Sequence, residues 1–411
     1  MAVEPALRSG AGLAHRVLLT AFVLGLGFSI SLSETALVAL AAMWLWRLRD
    51  PVARHAAHWP LLWPVLVFAF VTAASALSSG HAGSSLLAGR NLWLVIALYV
   101  ATNEFREEAA AERFLACLGL VAAGAAMVGL VQSTFCVGPD PGHGVPEWLF
   151  HKCFRARGFF SIYMTLAGVL NIVLLSTLPW ALPGKTFRGS FVPVWLIMLG
   201  GLIATYTRGA WIGFLSGVLT ILSHARYKWW LLTAGFLIVA LTVLAGPYEL
   251  SYRLRETVNV HDTSVQERVQ MWHTGFVMWR QHPWLGAGPG GVKREYSKFA
   301  LPLAIKKRTG HLHNTPLQIL VERGLFGLLA WLWIFWAFYQ RAIGRLRHLV
   351  NGVDRYRARI LGSLAAVTGF LVAGLTEYNF GDSEVVMIAW VVMALPFLPA
   401  PNEKLACSPI R

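Results

Sequence analysis

Charge is scarce in this chain. Only 13% of its 411 residues are Asp, Glu, Lys or Arg, about half the share of a water-soluble domain. That shortage excludes an ordinary soluble fold. Cysteine is scarcer still: there are 4, at Cys117, Cys136, Cys153 and Cys407. The external loops carry neither HExxH nor CxxC, and no cluster of His, Cys, Asp or Glu stands ready to hold an ion, so no metal and no cofactor are expected. A DxD-type carboxylate pair is missing from the same loops. Internal repeats and low-complexity tracts are absent too.

Apolar residues fill the space that charge leaves. They make up 56% of the chain and recur in long runs. A helix of about 20 residues crosses the hydrocarbon core of a bilayer, and about twelve such runs can be counted on that criterion. They lie near 14–32, 33–46, 60–79, 88–102, 114–135, 158–182, 191–206, 209–223, 229–246, 316–340, 360–377 and 384–399. The expected architecture is all-α: a polytopic membrane protein forming one domain over residues 1–411. A partly helical external loop, 247–315, joins the ninth and tenth spans. No cleavable signal sequence is expected, because a second span follows the first almost at once. Basic residues collect in alternate loops, most densely in "RAIGRLRHLVNGVDRYRAR". By the positive-inside rule this puts both termini in the cytoplasm.

The net charge of +15 does not come with a soluble groove in which basic and aromatic residues alternate, so nucleic acid is not an expected partner. A positive outer face suits membrane phospholipids or phosphorylated ligands instead. Cys136 and Cys153 share one external loop, where an oxidising compartment would let them pair, although spacing alone does not decide it. In the second external loop, "SVQERVQMWHTGFVMWRQHPWLGAG" has helical periodicity. Val265, Val269, Trp272 and Phe276 are expected along one face, at or near the membrane surface.

Arginine at a membrane boundary is costly, so its outer positions carry information. Arg208 sits in "TYTRGAW", a turn of almost no length. Arg155 and Arg157 precede the sixth span, Arg268 lies on the amphipathic helix, and Arg90 opens the fourth span. Each could simply reach phospholipid headgroups. Guanidiniums converging from separate loops would also form a pyrophosphate clamp, stabilising charge on a leaving group during glycosyl transfer.

The run "HLHNTPLQILVERGLFGLL" begins at His311. Asn314 or Thr315 can cap the tenth span, with Pro316 in its first turn. That leaves His311, His313, Gln318 and Glu322 to be accounted for. Gln318 and Glu322 share one helix face at i, i+4. His313, at the positive end of a helix, is favoured in the neutral form that a general base needs.

Together "TYTRGAW", "ERVQMWHTGFVMWRQHPWLGAGPGG" and "HLHNTPLQILVERGLFGLL" resemble the O-antigen ligase and polymerase superfamily of bacterial membrane glycosyltransferases. The layout is most similar to the O-antigen ligases. That resemblance implies transfer of O-polysaccharide from undecaprenyl pyrophosphate to lipid A–core, on the periplasmic face of the inner membrane. It implies inversion at the anomeric carbon, no metal, and a monomer or weak oligomer. It makes His313 and Arg208 catalytic and places Arg155 or Arg157 on the pyrophosphate, without deciding between those two. An O-antigen polymerase or a protein O-oligosaccharyltransferase would share the donor. A lipid or glycan transporter is a more distant alternative and would place its charges at mid-membrane.

Overall fold

The computed structural model describes residues 3–105, 108–135, 155–223, 263–302, 304–349 and 354–398. Among them the secondary structure is entirely helical. The first helices are α1 (Val3–Phe28), α2 (Ile30–Arg47), α3 (Pro51–His55), α4 (Leu62–Ser78), α5 (Ala82–Gly89) and α6 (Ile96–Glu104). Then follow α7 (Glu108–Phe135), α8 (Tyr163–Ala181), α9 (Val192–Ala204) and α10 (Arg208–Leu222). After residue 262 come α11 (Thr263–Gln281), α12 (Gly291–Phe299), α13 (Thr315–Arg347), α14 (Asp354–Ala373) and α15 (Ser383–Ala394). Helix is the expected answer for such apolar runs, because a backbone in lipid must satisfy its hydrogen bonds within the segment.

Among the described residues, five helical stretches are long and apolar enough to cross a membrane: Ala82–Glu104, Ala109–Phe135, Tyr163–Ala181, Thr315–Arg347 and Asp354–Ala373. Shorter apolar helices lie at Leu13–Phe28, Leu62–Ser78, Gly189–Ala204, Arg208–Leu222 and Ser383–Phe397. The ninth expected span, 229–246, lies outside the described residues, as do Cys136, Cys153 and Cys407.

The core is centred on α8, which is buried along most of its length and packs on α7, α9, α10, α14 and α15. Helices α10 and α14 meet closely through small residues. A Cβ on Gly213 would lie 2.5 Å from the Gly369 carbonyl, and one on Gly217 would lie 2.7 Å from that of Ala365. Backbone contact of this kind, rather than hydrophobic sequestration, is what holds helices together in lipid. Asn171 of α8 adds a hydrogen bond at the same level, donating from Nδ2 to the Gly369 carbonyl at 3.2 Å.

Ion pairs define one end of the bundle. Arg47 pairs with Glu104 at 2.9 Å, Arg188 with Glu112 at 2.5 Å, and Lys185 with Asp354 at 3.1 Å. The ends of α2, α6 and α8 and the starts of α7 and α14 therefore share that end. The opposite end holds the last turn of α7, where Gln132 Nε2 donates to the Gly158 carbonyl at 3.0 Å. It also holds the starts of α10 and α13 and the end of α14.

Helix α11 turns Met271, Thr274 and Met278 inward, whereas Val269 and Phe276 of the apolar stripe stay 53% and 42% exposed, uncovered by the protein. One expectation about local structure changes: helix α13 is not continuous. At Gly324 the backbone leaves the helix, with φ 67° and ψ −171°.

The Pro283–Ala287 segment is spliced into that break. The Leu325 amide donates to the Pro283 carbonyl at 2.8 Å, and the Ala287 amide donates to that of Val321 at 2.9 Å. Two close approaches make glycine necessary there. A Cβ on Gly324 would lie 2.1 Å from the Trp284 carbonyl oxygen, and one on Gly286 would lie 2.4 Å from the carbonyl carbon of Glu322. The "WLGAG" stretch and the glycine of "ERGLFG" are two halves of one joint.

Candidate active site

The N-terminus of α13 is capped as expected. Asn314 is extended, and its side chain accepts from the Leu317 amide at 2.9 Å, with Pro316 in the first turn. The same cap is tied to the turn that ends α14. The Thr315 amide donates to the Gly374 carbonyl at 2.7 Å, Asn314 Nδ2 donates to Leu375 at 2.9 Å, and Thr315 Oγ1 donates to Glu377 at 2.9 Å. These bonds set residues 311–315 beside residues 374–379.

His313 faces Glu377 across that junction, Nδ1 to Oε2, at 3.0 Å. The other carboxylate oxygen accepts from Arg268 Nη2 at 2.6 Å. A carboxylate on Nδ1 assigns the proton to that nitrogen and leaves Nε2 as the acceptor. The backbone of His313 is left-handed, at φ +49°. This conformation is uncommon outside glycine, and such strain gathers at functional positions. Trp272 of α11 steadies the run by donating to the Leu312 carbonyl at 3.0 Å, and the Leu312 amide donates to Gln318 Oε1 at 2.9 Å.

The His311 ring lies edge-on to that of His313, with centroids 4.3 Å apart. Burial, reinforced by the neighbouring imidazole, lowers its pKa from 6.5 to about 4. His311 is thus neutral near pH 7 and leaves His313 without a cationic neighbour in the run. Between about 4 and 6.5 the unfolded chain binds a proton that the folded chain refuses. This part of the stability is therefore complete above the unfolded value and is lost as pH falls toward about 4. We expect His311→Gln to flatten the drop in unfolding midpoint between pH 7 and pH 5. Equal drops in both proteins would remove His311 as its source.

Gln318 and Glu322 are buried and bonded to each other, Nε2 to Oε1 at 2.8 Å, and Arg323 stands 3.4 Å from the far oxygen of Glu322. The three line a cavity of about 170 Å³ with Lys293, Tyr378 and Trp390. Burial pushes the Tyr378 hydroxyl up to about 12. Glu322 and Arg323 sit beside the Gly324 break, so their ion pair also braces the joint.

The arginines are distributed over two groups. Arg155 lies over the Tyr163 ring at 4.4 Å. Arg157 is half-buried and its amide reaches Gln132 Oε1 at 3.4 Å, while the Ala156 amide between them donates to the Ala204 carbonyl at 2.9 Å. That bond brings both to the end of α9, next to Arg208, the half-buried first residue of α10. Gly209 then abuts Thr376, the neighbour of Glu377. Four chain segments carrying Arg155, Arg157, Arg208, Arg268 and Glu377 thus adjoin at the end of the bundle where His313 sits. Arg90 is exposed beside the Pro289 turn.

Glu377 is the residue that sequence reading missed. The apolar pattern puts it at the end of an expected span, 360–377, but α14 stops at Ala373 and Glu377 stands in the following loop. The signal available was an acidic residue in "GLTEYNFGD", between two apolar runs. Among the described residues no group of three or more His, Cys, Asp or Glu is placed to hold a metal ion.

Residues 193–332, from α9 to the middle of α13, match the family model described as O-antigen ligase. Over that stretch the chain is similar to the O-antigen ligase superfamily. The matched stretch carries Arg208, Arg268, His311 and His313, while Glu377 and the Arg155–Arg157 segment lie outside it. A curated O-antigen ligase from Pseudomonas aeruginosa is 27% identical over 269 residues, which is 62% of this chain and 59% of the relative. The chain thus spans about three fifths of that relative's length. Its described helices, five of them long and apolar enough to cross a membrane, are those of an all-α, multi-pass membrane protein.

Proposed function

We propose that the chain is an O-antigen ligase. It transfers a preassembled O-polysaccharide from undecaprenyl pyrophosphate to lipid A–core, with inversion and without a metal ion. The observation that carries this reading is the chain of contacts Arg268–Glu377–His313 at the capped entrance of α13. A histidine with Nδ1 on a carboxylate can take a proton at Nε2, and the carboxylate stabilises the imidazolium that results.

The acceptor hydroxyl of lipid A–core gives its proton to His313 as its oxygen attacks the anomeric carbon. The bond to the pyrophosphate breaks on the opposite face, so the configuration inverts. Arg208 and the Arg155–Arg157 segment are placed to meet the charge growing on the leaving pyrophosphate. Holding two lipid-anchored substrates at one site supplies the rest of the acceleration through orientation.

In this reading the chain is a single domain of about twelve spans. The His313 end faces the periplasm across the inner membrane, and residues 247–315 form a periplasmic loop. The basic loops around Arg47, Arg113, Arg188 and Arg345 face the cytoplasm with both termini, which the positive-inside rule supports. Undecaprenyl-linked glycan and lipid A–core are then the partners, and the protein acts as a monomer or weak oligomer.

The test is reconstitution of the purified chain with lipid-linked O-polysaccharide and lipid A–core. We expect glycan to appear on lipid A, and chelator to leave the rate unchanged. Lengthening of the lipid-linked glycan instead would make the protein a polymerase. Glycan on a protein hydroxyl would make it an oligosaccharyltransferase.

A further inference from the structure

A second cleft lies at the opposite end of the bundle from His313. Its volume is about 790 Å³, and it runs between α1 and α7. Clefts of about 300–1,000 Å³ are the usual size of small-molecule sites. The two helices touch where a Cβ on Gly27 would lie 2.2 Å from Val121 Cγ1. From that crossing they diverge toward the ion-paired end, where His15, Arg16, Glu104 and Arg113 stand at the mouth.

The walls are of one chemistry and the mouth of another. Leu19, Val23, Leu24, Phe114, Leu120 and Val121 line the interior. Leu24 and Leu120 remain 41% and 57% exposed, so the apolar wall is unfinished. At the mouth, the Glu104 carboxylate is already held by Arg47 at 2.9 Å and His15 at 2.8 Å. Nearby Glu112 is engaged by Arg188 at 2.5 Å. Arg16 and Arg113 are exposed at the same opening, and neither is paired with Glu104 or Glu112, the two carboxylates described beside it. From Arg16 to Leu24 the α1 wall runs about 12 Å at the helical rise, enough for the upper half of an acyl chain.

We propose that this cleft is a binding site for one anionic phospholipid. Its phosphate sits between the Arg16 and Arg113 guanidiniums, and one acyl chain lies along Leu19, Val23, Leu120 and Val121. A zwitterionic lipid fills the groove less well, because its ammonium group meets the same positive mouth. The site is at the far end from the glycan chemistry and does not depend on which acceptor that chemistry serves.

The test uses the full-length chain, delipidated in mild detergent and titrated with phosphatidylglycerol or phosphatidylcholine under native mass spectrometry. We expect a single tight phosphatidylglycerol adduct and at least about tenfold weaker phosphatidylcholine binding. Each surface arginine contributes about a fivefold factor to anionic-lipid binding. The R16Q/R113Q protein should therefore bind phosphatidylglycerol about 10–30-fold more weakly. Leu120→Trp, which fills the groove and leaves both arginines, should displace the adduct as well. In a C136S/C153S/C407S background, Cys117, exposed and lining the cleft, should react with N-ethylmaleimide more slowly once phosphatidylglycerol is bound. Equal affinity for the two lipids would overturn the proposal. So would phosphatidylglycerol affinity, or protection of Cys117 at a given lipid concentration, that is unchanged in R16Q/R113Q.

Discussion

Replacing His313 by alanine should lower the transfer rate by about 10³-fold or more, within the range that a positioned general base supplies. The folded protein should remain, because the helix cap rests on Asn314 and the α13–α14 junction on backbone and Thr315 bonds. The measurement is transfer in reconstituted vesicles, paired with elution profile and unfolding midpoint. Activity within about tenfold of wild type would remove His313 from the chemistry.

Glu377→Gln refines the same test. The amide keeps the volume but cannot hold a proton on Nδ1 as firmly or stabilise an imidazolium, so the loss should fall on kcat. Donor KM should change little, because Glu377 acts through the histidine. A loss confined to KM would instead show Glu377 serving chiefly to aim Arg268 at the donor.

The largest expected effect on stability is at Gly324. Alanine there would place its Cβ 2.1 Å from a backbone oxygen of Trp284, at φ +67°. The conformation alone costs about 1–3 kcal/mol for a non-glycine residue. The clash cannot be relieved by a side-chain rotation, since the obstructing atoms belong to the backbone. We expect poor membrane yield and an unfolding midpoint well below wild type. Gly344→Ala in the same helix is the control: nothing lies within 4 Å of its Cβ. That change should be neutral or stabilise by up to about 1 kcal/mol. Similar behaviour of the two variants would mean that the joint at Gly324 is not a structural requirement.

The two residues mark what a sequence can disclose. The all-helical character and the polar entrance at His311–Glu322 were legible, because apolar length and capping are local properties. His313 stood out for the same reason, as a polar group at the mouth of an apolar run. Its partner is 64 positions away in the chain, and no periodicity links a loop after α14 to a loop before α13. Gly324 was hidden differently. The helical pattern continues on both sides of it, and a lone glycine in an apolar helix is ordinarily tolerated. Only the Trp284 segment, brought in from 40 residues upstream, gives it a task.

The break in α13 also ties its shape to another part of the chain. The amide of Leu325 and the carbonyl of Val321 find their partners on Pro283 and Ala287, not within the helix. On its own, α13 cannot reach this backbone bonding pattern, because two of its partners belong to the Pro283–Ala287 segment. That segment follows directly on α11, which carries Arg268. The native shape of α13 and the support behind His313 therefore depend on the same stretch of chain.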